Sequence, residues 1–273
     1  MEKIFYILIF IILLLLLNLI LLNDEHYVLI NDLNYFEKFS EKNVLTTLIN
    51  NNLIEKPLNK KNKILFITYD NRKKEDYIKI HNHNITAYTK KWGYEYKFYN
   101  NCNENVYWCK IYMVLDALNK NIYDYVVWMD SDTVIKNFDI DIGNVLNRFS
   151  SDIFIGSDNN PKYDITNSGV FIVKNSTTGI NFLNDCINEV SNKCINNDGS
   201  LKGMWAASCY EQGIINLVIA DKYQQYTTIL TNKFIFNYNK CSNDVFIMHL
   251  YASSPSYRKK CFISNNPALK KQL

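Results

Sequence analysis

The sequence predicts an α/β fold with a mainly parallel sheet, and three observations carry that reading. Apolar runs of strand length alternate with helix-length stretches through the first half, in the order strand, helix, strand, helix, strand. Nearly half of the 273 residues (48%) are apolar, enough for a substantial core in one large domain or two small ones. One buried run, YDYVVWMDSD at Tyr123–Asp132, ends in two acids. The carboxyl ends of strands are where open α/β sheets bind ligands. Neither GxGxxG nor GxxxxGKS/T occurs, so a Rossmann dinucleotide fingerprint and a P-loop are both unsupported.

The chain begins with a run, Ile4–Leu22, that is apolar apart from Asn18. As a helix it spans roughly 28 Å, close to the hydrocarbon thickness of a bilayer. A cleaved signal peptide is the competing reading, but the run is long and no small-residue pair follows it. The expectation is therefore a cytoplasmic tip over 1–3, a transmembrane signal anchor over 4–22, a polar stem over 23–62 with a short helix near Glu41–Asn51, and a catalytic domain over 63–273. Lys3 precedes the run and Asp24 and Glu25 follow it, so the expected topology is single-pass type II with the domain lumenal.

Beyond the stem, Lys63–Tyr69 reads as a buried strand and Asp76–Trp92 as a helix stopped by Gly93. Tyr94–Tyr99 is the second strand. Tyr107–Leu118 places Tyr107, Ile111, Val114, Leu115 and Leu118 on one helical face. Asp124–Asp130 is the third strand. Asp141–Phe149 then reads as helix, Asp152–Ser157 and Ser168–Val173 as strands, Thr177–Cys194 and Glu211–Ala220 as helices, and Tyr226–Leu230 and Val245–Leu250 as strands.

The net charge of +3 is modest and no segment concentrates Lys and Arg, which argues against nucleic acid as a partner. The seven cysteines include no CxxC pair, so zinc and thiol-redox motifs are unsupported. On the lumenal side some would form disulfides and one would be left over. Proximity in sequence suggests Cys186 with Cys194 and Cys241 with Cys261. Asn84 and Asn175 head sequences of glycosylation form, in a chain so rich in Asn that chance also produces them.

The chemistry is concentrated in Asp130 and Asp132. Two hard oxygen ligands at the end of a central strand suit a divalent cation that also holds phosphate oxygens. A second pair, Asp139 and Asp141, has the same spacing but follows no buried strand, and reads as solvated acids in a turn.

Four segments in fixed order carry a family resemblance: WCK (108–110), YVVWMDSDTVI (125–135), NSGVFIVKNS (167–176) and YEQGIINLVI (210–219), with MHL (248–250) behind them. Together they resemble glycosyltransferase family 34, retaining galactosyl-, mannosyl- and xylosyltransferases of GT-A fold; the glycogenin-like family 8 shares the acidic pair and the late histidine. The resemblance implies a GT-A fold, with a Rossmann-like mixed, mainly parallel sheet flanked by helices behind the membrane helix. The implied activity is metal-dependent transfer of a hexose or pentose from a UDP- or GDP-linked nucleotide sugar to a glycan or glycoprotein acceptor.

By the same resemblance Asp130, Asp132 and His249 hold the metal, with Mn²⁺ the usual ion. Lys110, Ser131, Asn167, Ser168 and Gly169 contact the donor, the last three as a loop before a strand. Gln212 faces the anomeric centre, and Glu211 binds a donor or acceptor hydroxyl. The departure lies in HLYASSPSYRKK, where Ala252 and Ser254 replace the Gly and Lys of a phosphate-binding turn and Pro255 persists. Arg258, Lys259 and Lys260 are candidate substitutes for the missing charge. A non-catalytic, membrane-tethered carbohydrate-binding protein on the same fold is the alternative from a different class.

Overall fold

The computed structural model of the chain describes residues 60–72, 75–157, 166–189, 194, 196, 200–203, 209–230, 235–236, 241 and 245–264. The expected membrane span and nearly all of the expected stem with its short helix lie outside them. Among the described residues no helix is long and apolar enough to cross a membrane.

The first three strands and two helices form as expected. β1 (Ile64–Tyr69) pairs in parallel with β2 (Glu95–Tyr99) and with β3 (Tyr125–Met129). α1 (Asp76–Trp92) crosses between β1 and β2. It stops at Gly93, whose φ of 74° is the left-handed cap that glycine adopts at no steric cost. α2 (Cys109–Asn119) begins two residues later than predicted. Tyr107 lies outside it, half exposed, on a segment closed by the Cys102–Cys109 disulfide.

The sheet continues through β6 (Thr166–Lys174), β5 (Ile153–Ser157) and β7 (Thr227–Leu230), in the order β2-β1-β3-β6-β5-β7. Only β6 runs against the others. β3 reads as an unbroken apolar run because both its faces are covered. Val126 and Trp128 point into a layer with Ile111, Val114 and Phe182. These come from α2 and from α4 (Thr177–Asn188). Tyr125, Val127 and Met129 point the other way, against Ile85 and Tyr88 of α1 and Ile142 and Leu146 of α3 (Ile142–Leu146).

A second, three-stranded sheet has the order β4-β9-β8, from β4 (Thr133–Ile135), β9 (Ile247–His249) and β8 (Ile235–Phe236). β4, β8 and the final helix α6 (Pro255–Ile263) were not foreseen. α5 (Glu211–Val218) continues as a π turn, Ile219–Tyr223.

Several sequence expectations are corrected. Cys194 pairs with Cys209, and Cys186 is a buried free thiol, because α4 ends at Asn188 with Cys186 turned into the core and Cys194 beyond the helix. Cys241 does pair with Cys261. Asn84 is no glycosylation acceptor in the folded chain. It is 1% exposed, and its amide both donates to Ile135 O (2.9 Å) and accepts from Ile135 N–H (2.8 Å). The second acidic pair is structural: Asp141 caps α3 by accepting from Gly143 N–H at 3.0 Å, and Asp139 pairs on the surface with Lys91.

Candidate active site

β3 ends at Met129, and the chain turns at once. The backbone N–H of Thr133 donates to Asp130 O at 3.1 Å, and its hydroxyl donates to the same oxygen at 2.7 Å. β4 starts on that residue, and its antiparallel register with β9 sets Thr133 opposite His249. The N–H of Leu250 donates to Asp132 O at 2.9 Å, locking the two segments together. The result brings one ligand atom each of Asp130, Asp132 and His249 within 4.8 Å of one another. Two carboxylates and an imidazole are a donor set that suits Mn²⁺ or a similar divalent ion.

Asp132 is held on both sides. One oxygen lies 3.1 Å from His249 Nε2 and the other 2.8 Å from Arg258 Nη2. Burial opposes its ionisation, but the His249 imidazole and the guanidiniums of Arg258 and Arg72 more than offset that and hold its carboxyl well below the usual carboxylate range. Arg258 is itself almost buried, donating through Nε to Leu250 O (3.0 Å) and through Nη1 to the Tyr77 hydroxyl (3.3 Å). It braces Asp132 rather than filling the turn at 252–255. Lys259 pairs with Asp76 on the surface.

Lys110, on the first turn of α2, reaches Asp130 at 3.1 Å and Glu211 at 2.9 Å. Burial disfavours its charge, yet these two carboxylates raise its pKa well above that of an ordinary lysine. The indole N–H of Trp128 donates to the Asp130 oxygen at 2.7 Å. Trp108, by contrast, packs in the core.

Asn167, Ser168 and Gly169 are not a loop before a strand. They lie inside β6, at a bulge: Ile155 of β5 pairs with Phe171, but the next residue, Gly156, pairs with Asn167. Bulges re-aim side chains beside functional sites. Ser168 donates its hydroxyl to Glu211 (3.0 Å) and its N–H to Gln212 Oε1 (3.1 Å), so the start of α5 is tied to the bulge. Asn167 accepts the Gly169 N–H at 2.8 Å, while its buried side-chain nitrogen has no partner among the described residues. A buried donor of this kind at a cavity wall can be satisfied by an acceptor on a ligand.

Gly169 has a reason the sequence does not display. A Cβ there would overlap the His249 ring, so the glycine lets the imidazole lie against β6. Gly169→Ala should therefore displace His249. We expect divalent-ion affinity to fall about 10- to 100-fold, with about 1–3 kcal/mol lost in stability, read by ion titration and thermal melting.

All ten residues predicted from the sequence line one cavity of about 690 Å³. The sequence reading missed Asp70 and Arg72, which stand at the carboxyl end of β1 on the same wall. Asp70 is buried and accepts from Arg72 Nε (3.0 Å), from Nη2 (2.6 Å) and from the Ser131 hydroxyl. Burial works against its charge, but these bonds keep its carboxyl below the usual range. The rule that located Asp130, ligands at strand carboxyl ends, applies equally to the Asp-Asn-Arg turn after β1.

The family model of nucleotide-diphospho-sugar transferases matches residues 59–260. The chain belongs to that family. Its fold also resembles a solved glycosyltransferase involved in glycosylation of the major capsid of PBCV-1. That protein is 14% identical with a TM-score of 0.59, and the match covers 73% of this chain and 98% of the other. A Drosophila β-1,4-galactosyltransferase 7 mutant, solved with manganese, UDP-Gal and xylobiose, is also 14% identical, over 77% of this chain and 79% of its own, at a TM-score of 0.43. No curated protein matches the chain in sequence.

In this transferase the turn after β9 holds one residue in the left-handed region. Ala252 has φ 51°, left-handed, which costs an alanine roughly 1–2 kcal/mol. Ser254 of the same turn caps α6 by accepting from Tyr257 N–H at 3.3 Å.

Proposed function

We propose that this transferase is a metal-dependent, retaining glycosyltransferase. It moves a hexose or pentose from a UDP- or GDP-linked sugar to a glycan or glycoprotein acceptor. The observation that carries the reading is the convergence of Asp130, Asp132 and His249 on a cavity that Asn167, Glu211 and Gln212 also line. In the order of the motifs the chain is most like family 34.

Charge explains the metal requirement. Around the cavity four carboxylates (Asp70, Asp130, Asp132, Glu211) face three cations (Arg72, Lys110, Arg258). Leaving His249 aside, one negative charge is left, which repels a diphosphate. A divalent ion held by Asp130, Asp132 and His249 reverses that sign and stabilises the charge that grows on the departing nucleoside diphosphate.

On the sugar side, Glu211 is committed to Lys110 and to the Ser168 hydroxyl, which makes it a poor nucleophile. Gln212, 3% exposed and anchored by the Ser168 N–H, presents an amide instead of a carboxylate. With no free carboxylate among the described residues of this wall, retention fits front-face attack, in which the leaving phosphate takes the acceptor's proton.

The same reading places the domain on the lumenal side of a membrane, anchored by residues 4–22. Its support is the apolar run itself and the pairing of six of the seven cysteines, which needs an oxidising compartment.

A panel of UDP- and GDP-sugars, incubated with the chain plus Mn²⁺, tests the proposal. At least one should be hydrolysed or transferred, EDTA should stop the reaction, and NMR should show the anomeric configuration retained. Turnover unaffected by EDTA would remove the metal from the mechanism, and an inverted product would remove the front-face route.

A further inference from the structure

The altered turn leaves open which cation meets the donor's phosphates. Lys110 is shared between Asp130 and Glu211 at 3.1 and 2.9 Å. Arg258 has each of its nitrogens bonded: Nε to Leu250 O, Nη1 to the Tyr77 hydroxyl and Nη2 to Asp132. Arg72 differs from both. It lines the cavity, and its side chain is 55% exposed.

Accepting the nucleotide-sugar reading above, we infer that Arg72 is the residue that binds the donor's diphosphate, in place of a basic residue at 254. Its position supports this. Nη2 lies 3.4 Å from the hydroxyl of Ser131, the residue between the two metal-binding aspartates. Its guanidinium stands 6.0 Å from the centre of the Tyr77 ring, and Arg258, bonded to Asp132, stands 5.1 Å from the same ring. Arg72 thus supplies positive charge on the Asp132 side of the metal site, as Lys110 does on the Asp130 side.

Its rigidity supports it further. Asp70 holds the guanidinium through Nε and Nη2 and also accepts the Arg72 backbone N–H at 2.7 Å, so the side chain is fixed before any ligand arrives. Nη1 takes no part in those bonds, which leaves it for the planar, charge-assisted pairing with phosphate oxygens that arginine favours. Little ordering entropy then remains to oppose binding.

The test uses the Mn²⁺-loaded full chain and calorimetric titration with UDP, GDP, inorganic pyrophosphate and the free nucleosides. Arg72→Gln should weaken the nucleoside diphosphate and pyrophosphate by about 10- to 100-fold and leave nucleoside binding unchanged. Arg72→Lys, which keeps the charge without the fork, should lose about threefold to tenfold for the same two ligands. It decides the matter if the Gln variant fails to fold. Diphosphate binding equal to wild type in these variants overturns the inference. So does an equal loss for the nucleosides, which would mark Arg72 as a contact to the base or ribose. Wild-type chain that binds neither nucleoside diphosphate would instead sink the functional reading on which the inference rests.

Discussion

Asp130→Asn and Asp132→Asn should each lower sugar transfer by at least about 10³-fold, because in the proposed mechanism each removes a charged ligand from the ion that stabilises the leaving diphosphate. Their effects on stability should differ sharply. Asp132 is the carboxylate that neutralises the nearly buried Arg258, so its loss strands a buried guanidinium and should cost about 3 kcal/mol or more. Asp130 is partly exposed, and its partner Lys110 keeps Glu211 at 2.9 Å. Asp130→Asn should therefore melt within a few degrees of wild type. Activity assays beside thermal melts check both halves. Two variants equally destabilised would contradict the assigned charge pairing, and full activity in either would contradict its role as a ligand.

The second large effect concerns acid. His81 is fully buried on α1 and bridges the two segments behind the cluster of Asp130, Asp132 and His249. Nδ1 lies 2.7 Å from Thr133 O, which can only accept, so that nitrogen carries the proton. Nε2 lies 2.9 Å from the Thr68 hydroxyl, whose single hydrogen Met129 O also attracts at 2.9 Å. Burial pushes the imidazole pKa down from 6.5 to about 4.

The folded chain thus binds this proton less readily than the unfolded one. Stability from this group is complete above pH 6.5 and is lost as pH falls towards 4. The shift corresponds to roughly 3 kcal/mol at about 1.4 kcal/mol per pH unit. His81→Gln should flatten the melting temperature of the chain between pH 6.5 and 4 relative to wild type. Parallel curves for the two proteins would show that His81 does not titrate in that window.

Much of the architecture was legible because it is local. The strands β1 and β3 are apolar runs, α1 ends on a glycine cap, and Asp130 and Asp132 follow a buried strand in sequence. What escaped has no local signature. β4 is three residues long, and its meaning lies in pairing with β9, which carries His249 to Asp132. The family resemblance suggested His249, but only the register explains how it arrives. The bulge in β6 is equally hidden, since it is a mismatch between two strands and not a property of one. The family resemblance suggested a donor contact for Gly169, but the contact that demands a glycine, the His249 ring, lies across the fold and leaves no mark in the sequence. Asp70 and Arg72 resembled an ordinary turn because their partner, Ser131, is remote in sequence.

The central claim, that Asp130, Asp132 and His249 form a divalent-cation site serving a nucleotide donor, is tested most directly by Mn²⁺ titration followed by electron paramagnetic resonance, with and without UDP or GDP. Wild type should bind one ion per chain, more tightly when the nucleotide is present, and His249→Ala should weaken that binding by an order of magnitude or more. Binding that is absent from wild type, or unchanged in His249→Ala, would contradict it.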